Sequence, residues 1–183
     1  MTFTGRVLAL DLATTTGWAH GAPGSAPACG HIRFTKQGST RAQTYRVFRK
    51  WLDDEWGVRD HIPEVIVYES PAVPSFLGGR TNIETTRLLF GLAEHLEEWC
   101  YGKTELHEAT TSQVRCHFLG QNLKAKIAKP LTLERCRDFG WEVATEDEAD
   151  AAALWDYTQC WLNPQLAYKT TPLFRNKVRP TTL

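Results

Sequence analysis

The chain has no net charge to offer: among its 183 residues, 21 Lys and Arg are balanced by 21 Asp and Glu. As a total, this excludes the basic excess by which nucleic-acid binders usually show themselves. No run reaches the ~18 apolar residues of a membrane-spanning helix, so no membrane partner is expected. An apolar leader is also missing, because Met1 to Arg6 lead straight into an apolar strand pattern, and a cytoplasmic protein is the expectation. There is no C-x-x-C pair and no Cys/His grouping at zinc-ligand spacing. The five cysteines (Cys29, Cys100, Cys116, Cys136, Cys160) are scattered and read as small, mostly buried residues in a reducing compartment. Internal repeats and low-complexity stretches are absent too. What remains is 42% hydrophobic and 23% charged, with seven Trp and eight Phe, which excludes disorder. The length suits one domain with a real core, read as residues 1–162, followed by a basic C-terminal extension over 163–183.

The neutral total hides blocks of charge. His31 to Lys50 holds six bases (Arg33, Lys36, Arg41, Arg46, Arg49, Lys50) and no acid. Arg115 to Lys129 holds four (Arg115, Lys124, Lys126, Lys129) and no acid, and after Asp156 only Lys169, Arg175, Lys177 and Arg179 are charged. The acids concentrate over Asp53 to Glu69 and Glu146 to Asp156. Each run alone reads as a solvated helix face, and together they suit a cationic surface around an anionic pocket.

The order of elements follows from periodicity. Arg6 to Asp11 is a buried strand ending in an acid, Thr14 to Gly17 a turn, Trp18 to His20 the start of a second strand, and Cys29 to Phe34 a third. Ser39 is placed as the cap of a helix with Tyr45, Phe48, Trp51 and Leu52 on its apolar face. Glu64 to Glu69 is a central strand ending in an acid, stopped by Pro71 and Pro74. Ser75 to Thr81 reads as a loop, Asn82 to Cys100 as a helix, Thr104 to Ala109 as a fifth strand, and Thr111 to Phe118 as a helix capped by Thr110 or Thr111. Lys124 to Phe139 is helical, with Pro130 in its first turn or two and Gly140 as its stop. Thr145 and Glu148 form a capping box for a last helix that runs to about Trp161. These elements imply an α/β domain with a mixed five-stranded sheet, its first three strands antiparallel, and helices on both faces.

Within this order, acids lie at three places where packing alone does not ask for them. Asp11 ends the first strand and Glu69 the fourth, while Asp147 and Asp150, at i and i+3, share a face of the last helix's first turn. Singly, each also reads as a turn or helix-start residue. If the first and fourth strands are neighbours, all four converge, and carboxylates brought together repel unless a cation joins them. Oxygen donors without His or Cys select Mg²⁺, with Mn²⁺ able to substitute, over zinc. Two such ions, about 3.5–4 Å apart, suit phosphodiester hydrolysis, with water activated on one side and the leaving oxygen stabilised on the other.

The motifs Leu8-Ala-Leu-Asp11 with Thr16-Gly17-Trp18, Ile66-Val-Tyr-Glu69, Ser112-Gln-Val-Arg115, Gly120 followed by Lys126, and Asp147-Glu-Ala-Asp150-Ala151-Ala152 resemble those of the RuvC family of Holliday-junction resolvases, of the ribonuclease H-like superfamily. The resemblance spans about Val7 to Trp155. It implies that Asp11, Glu69, Asp147 and Asp150 hold two metal ions per site and that Lys126 acts with them in catalysis. It also implies that Arg115 and Lys126, kept eleven residues apart, lie near the scissile phosphate or contact DNA. Lys124, Lys129 and Arg80 are further DNA contacts in this reading. The implied protein is a homodimer of a bacterial or phage-infected cell, resolving four-way or related branched DNA by paired cuts that leave 5′-phosphate and 3′-hydroxyl ends.

Departures from the family pattern are Ala13 and Arg115, where Gly and Lys are usual, and Ala72, where a junction-wedging aromatic is expected. Phe76, in a longer loop, is the candidate replacement and reads equally as a loop aromatic tucked onto the core. The competing functions are a broader ribonuclease H-like nuclease acting on flap, Y-shaped or hybrid substrates, and a non-catalytic branched-DNA-binding module. Asp11 with Thr14 to Gly17 also resembles the first phosphate motif of actin-like ATPases and sugar kinases, which need two such domains and a Gly-rich adenosine loop, and this sequence has neither the length nor the loop.

Overall fold

A computed structural model describes residues 2–36, 38–58, 61–71 and 83–167. Phe76, Arg80, and positions 168–183 of the C-terminal extension lie outside the described residues. The strands are β1 (Val7–Asp11), β2 (Thr15–Gly21), β3 (Ala28–Arg33), β4 (Val65–Glu69) and β5 (Glu105–Ala109). The helices are α1 (Arg41–Trp51), α2 (Ile83–Cys100), α3 (Thr111–Leu119), α4 (Ala125–Asp138) and α5 (Glu146–Leu162). The sheet runs β3-β2-β1-β4-β5, with β1, β2 and β3 antiparallel and β1, β4 and β5 parallel. This is the mixed five-stranded arrangement that the element order implies.

Both faces of β1 and β4 are covered, and for that reason their sequences are nearly all apolar. Alternation sends Leu8, Leu10, Ile66 and Tyr68 into a core with Phe48 and Trp51 of α1 and Leu92 and Trp99 of α2. It sends Val7, Ala9, Val65 and Val67 to the other side, against α3, α4 and the alanines of α5. Ala149, Ala151, Ala152 and Ala153 are all buried, and their small side chains let α5 lie close over the sheet. The same alternation decides where the strand-end acids go. Asp11 has the parity of Val7 and Ala9, and Glu69 that of Val65 and Val67, so both belong to the α5 face.

Local chemistry moves several boundaries from their sequence positions. The β1–β2 turn is shorter than the Thr14-to-Gly17 reading, because Thr16 Oγ1 both accepts from Ala13 N at 3.2 Å and donates to Ala13 O at 2.9 Å, closing the chain before Gly17. The β-branched Thr15 and Thr16 then belong to β2. Thr40, not Ser39, caps α1: its hydroxyl accepts from Gln43 N while its own N–H donates to Gln43 Oε1. Ser39 is already engaged one step earlier, accepting from Lys36 N at 2.9 Å. The end of α1 stays where Gly57 marks it in the sequence, but the last turn, Leu52–Trp56, is a wider π-helical one. Pro130 is the sixth residue of α4, in its second turn, where it leaves the Lys126 carbonyl without an i+4 donor. Among the cysteines, Cys116 is exposed and Cys29 partly so, whereas Cys100, Cys136 and Cys160 are buried.

Candidate active site

The site is built at the carboxyl ends of β1 and β4, beneath the start of α5. The parallel register runs from Val7↔Val65 to Leu10↔Tyr68, and one further step brings Asp11 beside Glu69. The start of α5 is fixed over them by three contacts. Thr145 caps it, accepting from Glu148 N at 3.2 Å. The return half of the expected capping box is altered: the Glu148 carboxylate accepts from Ala144 N at 2.6 Å instead, and its other oxygen meets His31 Nδ1 of β3 at 2.6 Å. Those two bonds hold the Glu148 carboxyl below its ordinary range in spite of its burial. Finally, Gly17 of β2 lies directly under the peptide of Asp147.

The first turn of α5 thereby brings Asp147 and Asp150 to the two strand-end acids, and the electrostatics record the convergence. Burial, then the charges of Glu69 and Asp150, push the Asp11 carboxyl well above the usual carboxylate range, Asp147 adds to this, and Lys129 opposes it. Glu69 is raised by burial and by Asp150, against a hydrogen bond from Thr111 and the charges of Arg115 and Lys129. Asp150 is raised by burial, against Lys129 and Arg115. For Asp11, Glu69 and Asp150, burial and the neighbouring carboxylates together outweigh the nearby cations.

Lys129 is the nearest compensation. Its Nζ stands 3.2 Å from Asp150 Oδ2 and 3.4 Å from Asp147 Oδ1. Although burial works against its charge, Asp150, Asp11 and Asp147 together raise its pKa. Lys126, the lysine singled out by sequence, is exposed one turn earlier on α4, and Lys124 is the exposed residue preceding that helix. Arg115 of α3 donates to Leu123 O at 3.0 Å and adds its charge toward Glu69 and Asp150. Thr110 caps α3, which leaves the Thr111 hydroxyl free to donate to Glu69 Oε1 at 2.5 Å. The sequence marks Thr111 only as a possible cap. The signal that points to its further role is its place directly after the end of β5, next to β4 in the sheet.

The donor set fits a hard divalent cation. All four groups offer oxygen, burial and neighbouring carboxylates raise three of them (Asp11, Glu69 and Asp150), and they are held from two strands and a helix start rather than from one flexible loop.

Neither family models nor curated protein sequences match this chain. Solved structures do. The fold is that of the ribonuclease H-like α/β proteins, and within that class it is similar to RuvC. Thermus thermophilus RuvC superposes with a TM-score of 0.62 over 91% of this chain and 98% of that one, at 14% identity. The same organism's RuvC in complex with a Holliday junction substrate gives 0.62 over 88% and 96%, at 10% identity. The yeast mitochondrial Holliday junction resolvase Ydc2 gives 0.54 over 91% and 82%, at 18% identity.

Proposed function

We propose that this chain is a divalent-metal-dependent endonuclease that resolves four-way DNA junctions, acting as a homodimer whose two sites make paired cuts. The observation that carries the reading is the convergence of Asp11, Glu69, Asp147 and Asp150 at one end of the sheet, where burial first and neighbouring carboxylates second raise Asp11, Glu69 and Asp150. The likeness to resolvase structures supports it, including one solved on a junction substrate.

In this reading the four acids would hold two Mg²⁺ ions, whose chemistry when bound would be to activate a water and to stabilise a leaving 3′-oxygen. Asp11, which feels the charge of all three other acids, would be among the residues that hold the ions. Thr111 fixes the rotamer of Glu69 by its hydrogen bond, so that one carboxylate oxygen is committed and the other is presented to the pocket. Lys129 neutralises Asp147 and Asp150 while the site is empty of cations, and its flexible stem lets the ammonium turn toward a phosphate oxygen once those charges are otherwise compensated. Arg115, Lys124 and Lys126 provide the cationic approach for the DNA backbone.

The test is cleavage of labelled four-way, Y-shaped and linear duplex DNA with Mg²⁺, comparing wild type with Asp147→Asn. The expected result is paired nicking of the four-way junction by wild type, and a loss of about 10²–10³-fold or more in the variant with junction binding retained. Preferred cleavage of Y-shaped or hybrid substrates would point to the broader nuclease. Binding without cleavage by wild type would reduce the protein to a junction-binding module.

A further inference from the structure

A second group of metal-ligating side chains lies away from the carboxylate site. His117 of α3 and Asp156 and Cys160 of α5 each direct one donor atom into a shared space, and these atoms all lie within 4.8 Å of one another. Asp156 and Cys160 are at i and i+4 and therefore share one face of α5. Six residues separate Asp150 from Asp156, about 9 Å along the helix, so the group is distinct from the four acids. The Asp156 side chain is fully buried, that of His117 is 13% exposed, and Cys160 is 6% exposed.

We propose that His117, Asp156 and Cys160 form a binding site for a borderline transition ion, Zn²⁺, that fastens α3 to α5. The donor chemistry argues for this ion: imidazole, carboxylate and thiolate together suit Zn²⁺ and not Mg²⁺. The surroundings are organised as those of a metal ligand are. Gly24 N, an obligate donor, bonds Gln159 Oε1 at 2.8 Å, which turns the Gln159 amide nitrogen toward Asp156 Oδ1, also at 2.8 Å. Asp156 is thereby held by one oxygen, with Oδ2 left facing His117 Nε2 at 2.8 Å. The His117 ring is steadied edge-on by Tyr157, at 5.7 Å between centroids.

To admit the ion, Cys160 Sγ, which lies within 4.8 Å of the other two donors, must stand about 3.6 Å from each of them, the separation that a zinc-bound sulfur keeps. Two ligands about 2.05 Å from a tetrahedral zinc stand about 3.3 Å apart, so the His117–Asp156 pair must open by roughly 0.5 Å. Binding releases the Cys160 thiol proton to solvent. His117 then presents its Nε2 lone pair, with its proton carried on Nδ1. Three protein ligands leave water as the fourth ligand of a tetrahedral zinc. Asp156, fully buried and bonded by one imidazole and one amide, supplies the anionic oxygen of the set. The role is structural: α3 also carries Thr111 and Arg115, so a clamp at its far end steadies the helix that reaches Glu69.

The experiment is titration of chelator-stripped full-length protein with Zn²⁺, and separately with Co²⁺, in excess Mg²⁺ to occupy the four-acid site. Calorimetry, thermal unfolding and the cobalt absorption spectrum are read. Wild type is expected to take up one equivalent of Zn²⁺ with a rise in Tm of several degrees. With Co²⁺ it should show a thiolate-to-metal charge-transfer band with the visible intensity of a tetrahedral site. Cys160→Ser and His117→Ala should each weaken binding at least tenfold, and Cys160→Ser should abolish the band. Cys116→Ser, at the exposed neighbouring cysteine, should leave both unchanged. Absence of the band in wild type, its survival in Cys160→Ser, or its loss in Cys116→Ser would overturn the proposal. The spectrum of wild type decides the matter even if His117→Ala does not fold.

Discussion

A β-carbon placed on Gly17 would stand 1.9 Å from the carbonyl oxygen of Asp147 and 2.5 Å from its carbonyl carbon. Strand β2 and the start of α5 therefore touch backbone to backbone, and both atoms in the way belong to a main chain that cannot swing aside. Gly17 sits in a strand and has no positive φ to satisfy; what the position excludes is any side chain at all.

Gly17→Ala is accordingly expected to push the first turn of α5 off the sheet. The cost should be at the upper end of the ~1–3 kcal/mol typical of overpacking, because the clash is with backbone. Asp147 and Asp150 would move relative to Asp11 and Glu69, so cleavage should fall more than stability does. Thermal unfolding together with the Mg²⁺ dependence of cleavage checks this. Unchanged Mg²⁺ dependence and an unchanged Tm would show that α5 can yield at that point.

Much of this arrangement is legible in the amino-acid sequence. Strands β1 and β4 announce themselves as apolar runs ending in acids, and the period of two places Asp11 and Glu69 on one face once the two strands pair. The spacing of Asp147 and Asp150 needs only helical geometry. Whatever depends on how one element is rotated against another is hidden from local rules. Lys126 and Lys129 lie three residues apart on α4, and only the docking of that helix against α5 turns Lys129 toward the acids. The group of His117, Asp156 and Cys160 is invisible to a search for metal-ligand spacing, because His117 and Asp156 stand 39 residues apart on different helices. The Glu148 carboxylate, whose spacing from Thr145 predicts a local capping box, instead reaches a histidine on β3, a partner that no local rule supplies.

The two lysines can be separated by experiment. Lys129→Gln removes the ammonium that lies between Asp147 and Asp150, so the metal-free protein should lose stability, and cleavage should fall by about 10²-fold. Lys126→Gln, at an exposed position, should leave the metal-free Tm within the scatter of surface substitutions and reduce the salt slope of junction binding by about one. Unfolding in EDTA and binding isotherms at several salt concentrations measure the two effects. The reverse outcome, with Lys126→Gln the more damaging to cleavage, would return the catalytic role to the residue indicated by the sequence pattern.

Neutralising Asp11 should stabilise the protein when no divalent cation is present. Its carboxyl is raised in the folded state by burial and by Glu69, Asp150 and Asp147, with Lys129 opposing, whereas in the unfolded chain it titrates near 3.9. Between those two values the folded protein holds a proton that the unfolded chain has lost. Stability from this group is therefore full below the unfolded value and is lost as pH rises through the folded one. Asp11→Asn removes the group from that balance. In EDTA, the variant and wild type should unfold at similar temperatures near pH 4, and the variant should pull ahead as pH rises toward 8. Each kcal/mol relieved should appear as about 2–4 °C in a chain of this size. Saturating Mg²⁺ should shrink or reverse the difference, because only wild type then gains the full stabilisation of a bound ion. A variant that unfolds below wild type in EDTA at pH 8 would mean that Asp11 is held by contacts outweighing its repulsion, and the four acids would no longer read as a site awaiting a cation.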